Sequence, residues 1–200
     1  GTEFVKTEYR RLSRTTGSSC LPTCAHSTER MPIDREGNLY SGETNNGVRH
    51  GLGCYSYPYG GNKLFTYEGK YDTGVKRGGK FTIAGVSSYE GQFDETGEMT
   101  GKGRRTWVDG RVYEGDFVKG QQNGCGRWER NATDFLSGEK SYECYEGDFI
   151  DNIRQGQGTY TDGKITYTGQ FSGHKFNGPA KVTGKDDQEG SFTMEGAFLD

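Results

Sequence analysis

Three histidines (His26, His50, His174) and five cysteines (Cys20, Cys24, Cys54, Cys125, Cys144) are the side chains in this sequence best suited to nucleophilic or metal chemistry. A Ser or Cys nucleophile needs a base held against it. His26 lies in a stretch without periodic pattern, His50 precedes a Gly-x-Gly, and His174 falls in a short turn. No catalytic triad is expected from that distribution, and the chain is read as non-enzymatic. Cys20-x-x-x-Cys24-x-His26 groups three soft ligands that would make part of a zinc site. No fourth ligand and no second Cys pair follows, so these three are a weak metal candidate beside the plainer reading of an irregular segment with free thiols. No cofactor is expected. Glu68, Glu90, Glu114 and Glu146 recur at one position relative to their aromatic neighbours. Such recurrence belongs to a solvent-facing strand position rather than to a tuned acid–base pair. Asn131-Ala132-Thr133 fits a glycosylation acceptor and is read as a chance match.

Positive charge concentrates in two consecutive segments, Lys76, Arg77 and Lys80, then Lys102, Arg104, Arg105 and Arg111. With Lys80 and Arg105 taken as equivalent second-strand positions, these residues would form a basic stripe for anionic lipid head groups or an acidic partner. Asp94, Glu95, Glu98 and Asp109 lie close in sequence and give the competing reading of a mixed, solvated surface. The net charge is −3, with 25 basic and 28 acidic residues, unlike a dedicated nucleic-acid binder. No apolar run is long enough to span a bilayer as a helix, and no charged-then-apolar leader opens the sequence. Scattered cysteines suit free thiols in a reducing compartment. A cytoplasmic setting is therefore expected, with association to cytoskeleton, cilium or flagellum, or membrane.

The elements that position these groups follow from composition and repetition. Glycine supplies 34 of 200 residues, well above the usual roughly 7%. The sequence also holds 13 Tyr, 11 Phe and 2 Trp, too many aromatics for a disordered chain. One string recurs: Tyr67-Glu68-Gly69-Lys70-Tyr71, Tyr89-Glu90-Gly91-Gln92-Phe93, Tyr113-Glu114-Gly115-Asp116-Phe117, Tyr145-Glu146-Gly147-Asp148-Phe149 and Tyr167-Thr168-Gly169-Gln170-Phe171. Weaker copies start at Tyr40 and Met194, the latter ending at Phe198. A second anchor follows each, as Gly51-Leu52-Gly53, Gly101-Lys102-Gly103, Gly124-Cys125-Gly126 and Gly156-Gln157-Gly158, with Gly78-Gly79 and Gly178-Pro179-Ala180 as variants. In a strand, side chains alternate, so both rings and the glycine share one face while Glu114 and Asp116 take the other. The glycine leaves backbone bare for a neighbouring ring.

Turn signals such as Asn46-Gly47, Thr73-Gly74, Lys119-Gly120 and Asp151-Asn152 then separate two strands. The second strand carries a further large residue, Tyr55, Phe81, Trp107, Trp128 or Tyr160. Trp128 and Phe149 are both expected in the core. One hairpin alone is marginal in water; stacked hairpins bury their faces against one another. The expected fold is all-β, an elongated, twisted single-layer antiparallel meander. Residues 1–38 are read as an irregular N-terminal segment, with 1–4 resembling a cloning remnant. Residues 39–200 are read as about six hairpin units and an incomplete terminal one.

Tyr-Glu-Gly-x-Phe, a short turn, Gly-x-Gly and an Asp-Gly turn together resemble the MORN repeat (membrane occupation and recognition nexus). Departures are Gly78-Gly79-Lys80 in the second unit and an insertion around Asn131 to Ser141 in the fourth. The resemblance implies tandem MORN hairpins and a scaffold of the kind found in cytoskeletal, ciliary or flagellar and membrane-junction proteins, or appended to lipid kinases and SET-domain methyltransferases. The aromatic ladder of Tyr67, Tyr71, Tyr89, Phe93, Tyr113, Phe117, Tyr145, Phe149, Tyr167 and Phe171 is then expected to leave a partly open groove for a cytoskeletal or ciliary protein partner, beside the plainer reading that these rings only hold the hairpins together. The alternative is a peripheral module that binds anionic phospholipid through the basic stripe. An unpaired C-terminal strand edge would also allow a homodimer.

Overall fold

The computed structural model describes residues 38–59, 63–133, 138, 140–186 and 190–198. Every element among them is a strand: β1 (Leu39–Asn45), β2 (Val48–Tyr59), β3 (Lys63–Asp72), β4 (Val75–Ile83), β5 (Ser87–Phe93), β6 (Met99–Trp107), β7 (Arg111–Val118), β8 (Gln121–Thr133), β9 (Lys140–Ile150), β10 (Ile153–Thr161), β11 (Ile165–Ser172), β12 (Lys175–Asp186) and β13 (Gly190–Phe198). They pair in chain order in one open antiparallel sheet. The insertion of the fourth unit lengthens β8 and β9, which stay paired out to Thr133 and Lys140.

The turns follow from their sequence. Asn46-Gly47, Thr73-Gly74, Lys119-Gly120, Asp151-Asn152 and Gly173-His174 hold positive φ at both central residues. That geometry matches the right-handed twist of the flanking strands. At the sixth unit the tight turn therefore falls one residue later than the Ser172-Gly173 signal suggests. The β5–β6 turn is wider, and Asp94 closes it by accepting from the Thr96 and Glu98 amides at 2.9 and 3.0 Å.

Register places one glycine from each strand in a continuous row, Gly42, Gly53, Gly69, Gly79, Gly91, Gly103, Gly115, Gly126, Gly147, Gly158 and Gly169, then Ala180 and Gly196. The first tyrosine of each unit lies along this row. Its hydroxyl donates to the carbonyl three residues on: Tyr67 to Lys70 at 2.9 Å, Tyr113 to Asp116 at 3.0 Å, Tyr167 to Gln170 at 2.8 Å. A Cβ at Gly126 would stand 2.5 Å from Cζ of Tyr113, so the row is bare because the rings occupy it. The first glycine of Gly-x-Gly has a different task. Gly124 holds φ +62 beside the step in register between Gly115 and Asp116, a bulge geometry that favours glycine.

The second aromatic of each motif links the units. Phe117 meets Tyr113 of its own hairpin at 5.1 Å and Tyr89 of the preceding one at 5.0 Å, both edge-to-face. Phe149 and Phe171 repeat the arrangement, and Phe198 closes it against Tyr167 at 5.2 Å. Such pairs add about 0.5–1.5 kcal/mol beyond area burial, which couples each hairpin to the next.

Candidate functional site

The two faces of the sheet differ in character. On the aromatic face, Tyr67, Tyr71, Tyr89, Phe93, Tyr113, Phe117, Tyr145, Phe149, Tyr167 and Phe171 are all buried. Side chains that follow each turn, together with second-strand aromatics, close over them. The guanidinium of Arg154 sits 4.6 Å from the Trp128 ring, 5.0 Å from Tyr145 and 5.6 Å from Tyr160. Lys76 lies 4.8 Å from Phe81 and 5.4 Å from Tyr67. Burial lowers the pKa of both cations, and the ring faces beside them offset part of the lost hydration. This corrects the expected open groove: the ten ladder rings are core, and a partner cannot lie against them without unpacking the array. Trp128 is only half-buried, unlike Phe149, because it belongs to the covering layer.

The seven basic residues do not form one stripe. Lys80 pairs across to Glu68 and Glu90, whereas Arg105 pairs to Tyr89 and Tyr113. The residue equivalent to Lys80 is Arg104, and a slip of one residue moves a side chain to the opposite face. Lys76 and Arg105 therefore lie on the aromatic face, Arg105 with its guanidinium 4.9 Å from the Trp107 ring. Trp107 sits two residues beyond the slot that Trp128 fills, opposite Ser87. Carboxylates meet four of the seven: Arg77 with Asp72 at 3.4 Å, Lys102 with Asp116 at 2.8 Å, Arg104 with Glu114 at 3.7 Å and Arg111 with Asp109 at 2.7 Å.

The remaining chemical candidates are held by the scaffold. His50 Nδ1 is 3.8 Å from Asp72. His174 Nδ1 accepts from the Arg154 amide at 3.4 Å, and burial, with Arg154 alongside, lowers its pKa. The Cys125 thiol donates to Asp148 at 3.5 Å. That bond, with the adjacent negative charge, raises the thiol pKa, the reverse of what a cysteine nucleophile needs. Cys125 and Cys144 are free thiols. Cys54 is disulfide-bonded, a correction to the expectation of free thiols throughout. The metal candidates Cys20, Cys24 and His26 lie outside the described residues. Among the described residues no His, Cys, Asp and Glu cluster suits a metal ion, and no helix is long and apolar enough to cross a membrane.

The polar face carries the open site. A trough of about 1240 Å³ runs across β5 to β11, lined by side chains including Glu90, Arg104, Glu114, Arg127, Glu146 and Thr168 and floored by the glycine row. Glu90, Glu114 and Glu146, which the sequence assigns to a solvated face, are there, and each stands opposite a cation: Arg104 for Glu90, and Arg127, which the basic-stripe reading did not include, for Glu114 and Glu146. Glu114 pairs with Arg104 on one side and Arg127 on the other. Arg127 could have been found by its offset, since Lys80, Arg104 and Arg127 each directly follow a glycine of the row. Cys125 and Gln157, the middle residues of two Gly-x-Gly anchors, also open into the trough.

The MORN-repeat family model matches residues 40–61, 89–110, 113–130, 145–164 and 167–188. Over a match that covers 57% of this chain, the sequence is 29% identical to part of alsin from Rattus norvegicus. The chain spans 8% of that relative's length.

Proposed function

This chain belongs to the MORN-repeat family, and from that premise we propose that it is a non-catalytic protein-interaction scaffold, cytoskeletal or ciliary/flagellar, which receives a partner segment in the trough on its polar face. The observation that carries this reading is the contrast between the two faces: the rings are sealed, while a continuous trough lies open over seven strands. A single-layer repeat sheet that spends its apolar residues on its own cohesion is left with the opposite face for recognition. The matched carboxylates along the basic residues favour this over the alternative of a peripheral module for anionic phospholipid, because a paired cation offers little net field to a head group.

Filling the trough tests the reading. Cys125→Trp with Gln157→Trp replaces two exposed lining residues. Affinity purification from cells followed by mass spectrometry should recover partners with the parent chain and with Arg130→Trp, a change at an exposed residue outside the trough lining. The trough-filled chain should retain its β-rich circular dichroism and lose those partners. An unchanged partner set would overturn the trough as the binding site. Salt-sensitive binding to anionic vesicles, unaffected by the filled trough, would favour the lipid alternative.

A further inference from the structure

The charge pattern of the trough specifies what can lie along it. Register sets Glu68, Lys80, Glu90, Arg104, Glu114, Arg127 and Glu146 in seven successive strands, β3 to β9. The sign alternates at every step. From Lys80 onward all six are exposed. Neighbouring strands lie about 4.8 Å apart, so opposite charges recur at about 4.8 Å and like charges at about 9.6 Å along the row. Beyond Glu146 the row continues as neutral Thr159 and Thr168. The adjacent row includes the small residues Thr82, Ser88 and Thr106. Ser88 and Thr106 share a hydrogen bond of 2.7 Å, and farther along that row Glu129, across from Val112, pairs with Arg127 at 2.9 Å, an ion pair that a partner's carboxylate at Arg127 must share.

An extended segment along this row would be out of step. Its side chains return to one face every ~6.6 Å, against a rung spacing of about 4.8 Å. A polymer of one sign, such as a nucleic acid or an anionic surface, would meet a like charge at every second rung. An α-helix fits both signs. Residues three or four apart share a face and rise about 4.5–6 Å, and residues seven apart rise about 10.5 Å. A helix of about 15 residues, with three cations one heptad apart rising ~21 Å in all, spans the ~19 Å from Glu90 to Glu146.

Resting on the trough reading above, the geometry points to a charge-alternating α-helix as the partner segment. Its Lys or Arg residues, one heptad apart, meet Glu90, Glu114 and Glu146, and its Glu or Asp residues midway between meet Arg104 and Arg127. The helix lies along the trough across the strands, and its register is fixed by sign rather than by an apolar stripe.

Fluorescence anisotropy with the intact chain at low salt tests this with three labelled alanine-based peptides of equal composition. One alternates Lys and Glu in heptad phase, one spreads the same charges around the helix, and one keeps the phase but carries two mid-sequence prolines in place of alanines. With roughly a factor of two per exposed ion pair, five pairs predict that the in-phase helix binds about 30-fold more tightly than the other two. Arg104→Glu with Arg127→Glu should abolish that preference, and an in-phase peptide with its Glu changed to Lys should restore binding. Equal binding of all three peptides would overturn the helix while leaving the trough as a binding site. Absence of binding by any of them would also overturn it, whereas the trough itself stands or falls on the cellular partners lost in the trough-filled chain.

Discussion

Gly126→Ala is the sharpest perturbation of this fold, because one methyl group tests why the glycine row exists. The added carbon would sit 2.5 Å from Cε2 and Cζ of Tyr113, closer than carbon atoms pack. Tyr113 is buried, its hydroxyl bonded to the Asp116 carbonyl at 3.0 Å and its ring flanked edge-to-face by Phe117 and Phe149, each at 5.1 Å. The ring must move. Overpacking costs about 1–3 kcal/mol, and a broken hydrogen bond adds about 1 kcal/mol, so a loss of about 2–4 kcal/mol is expected. Gly196 is the internal control: it occupies the same row, paired with Ala180, and a Cβ there meets nothing within 4 Å. Gly196→Ala should be within about 0.5 kcal/mol of neutral and on the stabilising side, since it restricts the unfolded chain. Urea unfolding followed by tryptophan fluorescence reads both, with Trp128 directly across from Tyr113. Equal shifts for the two substitutions, or a neutral Gly126→Ala, would refute the seat-for-a-ring account.

Four further outcomes follow from the same geometry. Tyr71 is buried and its hydroxyl meets the hydrogen-bond distance to no partner among the described residues, the Arg49 guanidinium lying alongside, so Tyr71→Phe should be close to neutral, while Tyr113→Phe should cost about 1 kcal/mol in the same melts. Burial raises the pKa of Tyr67, Tyr89 and Tyr145 to about 12; a raised folded value means the stabilisation is complete below the unfolded value of about 10 and is lost as pH climbs through about 12, so phenolate absorbance and loss of β-sheet circular dichroism should rise together in that window. Phe149→Ala should cost about 3–5 kcal/mol, half-exposed Trp128→Ala measurably less, and Glu114→Ala within about 0.5 kcal/mol of zero. Strand β13 has no partner on its outer side among the described residues, and light scattering should find a concentration-dependent dimer for the intact chain but not for one ending at Ser172; a strict monomer in both would remove the C-terminal edge as a self-association surface.

The recurring Tyr-Glu-Gly-x-Phe string determined the hairpins, the turns, and the division of each strand into a ring-bearing and a charge-bearing face. All three are local consequences of the two-residue period of a strand and of Gly, Asn and Asp at positive φ. Glu114 was therefore legible as solvent-facing, and Gly115 as bare backbone beneath a ring. Cross-strand matters were not legible, because they depend on register. The bulge beside Gly124 and the lengths of individual turns decide which residue faces which. They put Arg104 rather than Arg105 beside Glu90, moved Trp107 out of the slot that Trp128 fills, and lined up thirteen residues from thirteen strands as one row of glycine and a single alanine, five of whose glycines floor the trough. Which face closes and which stays open was likewise settled only by tertiary structure. A ring's burial depends on side chains supplied by the next hairpin and by the residue after the turn, as Arg154 and Phe171 do for Tyr145. The sequence thus determined the unit and its two faces, and the stacking of units decided that the aromatic face holds the array together while the charged face stays open.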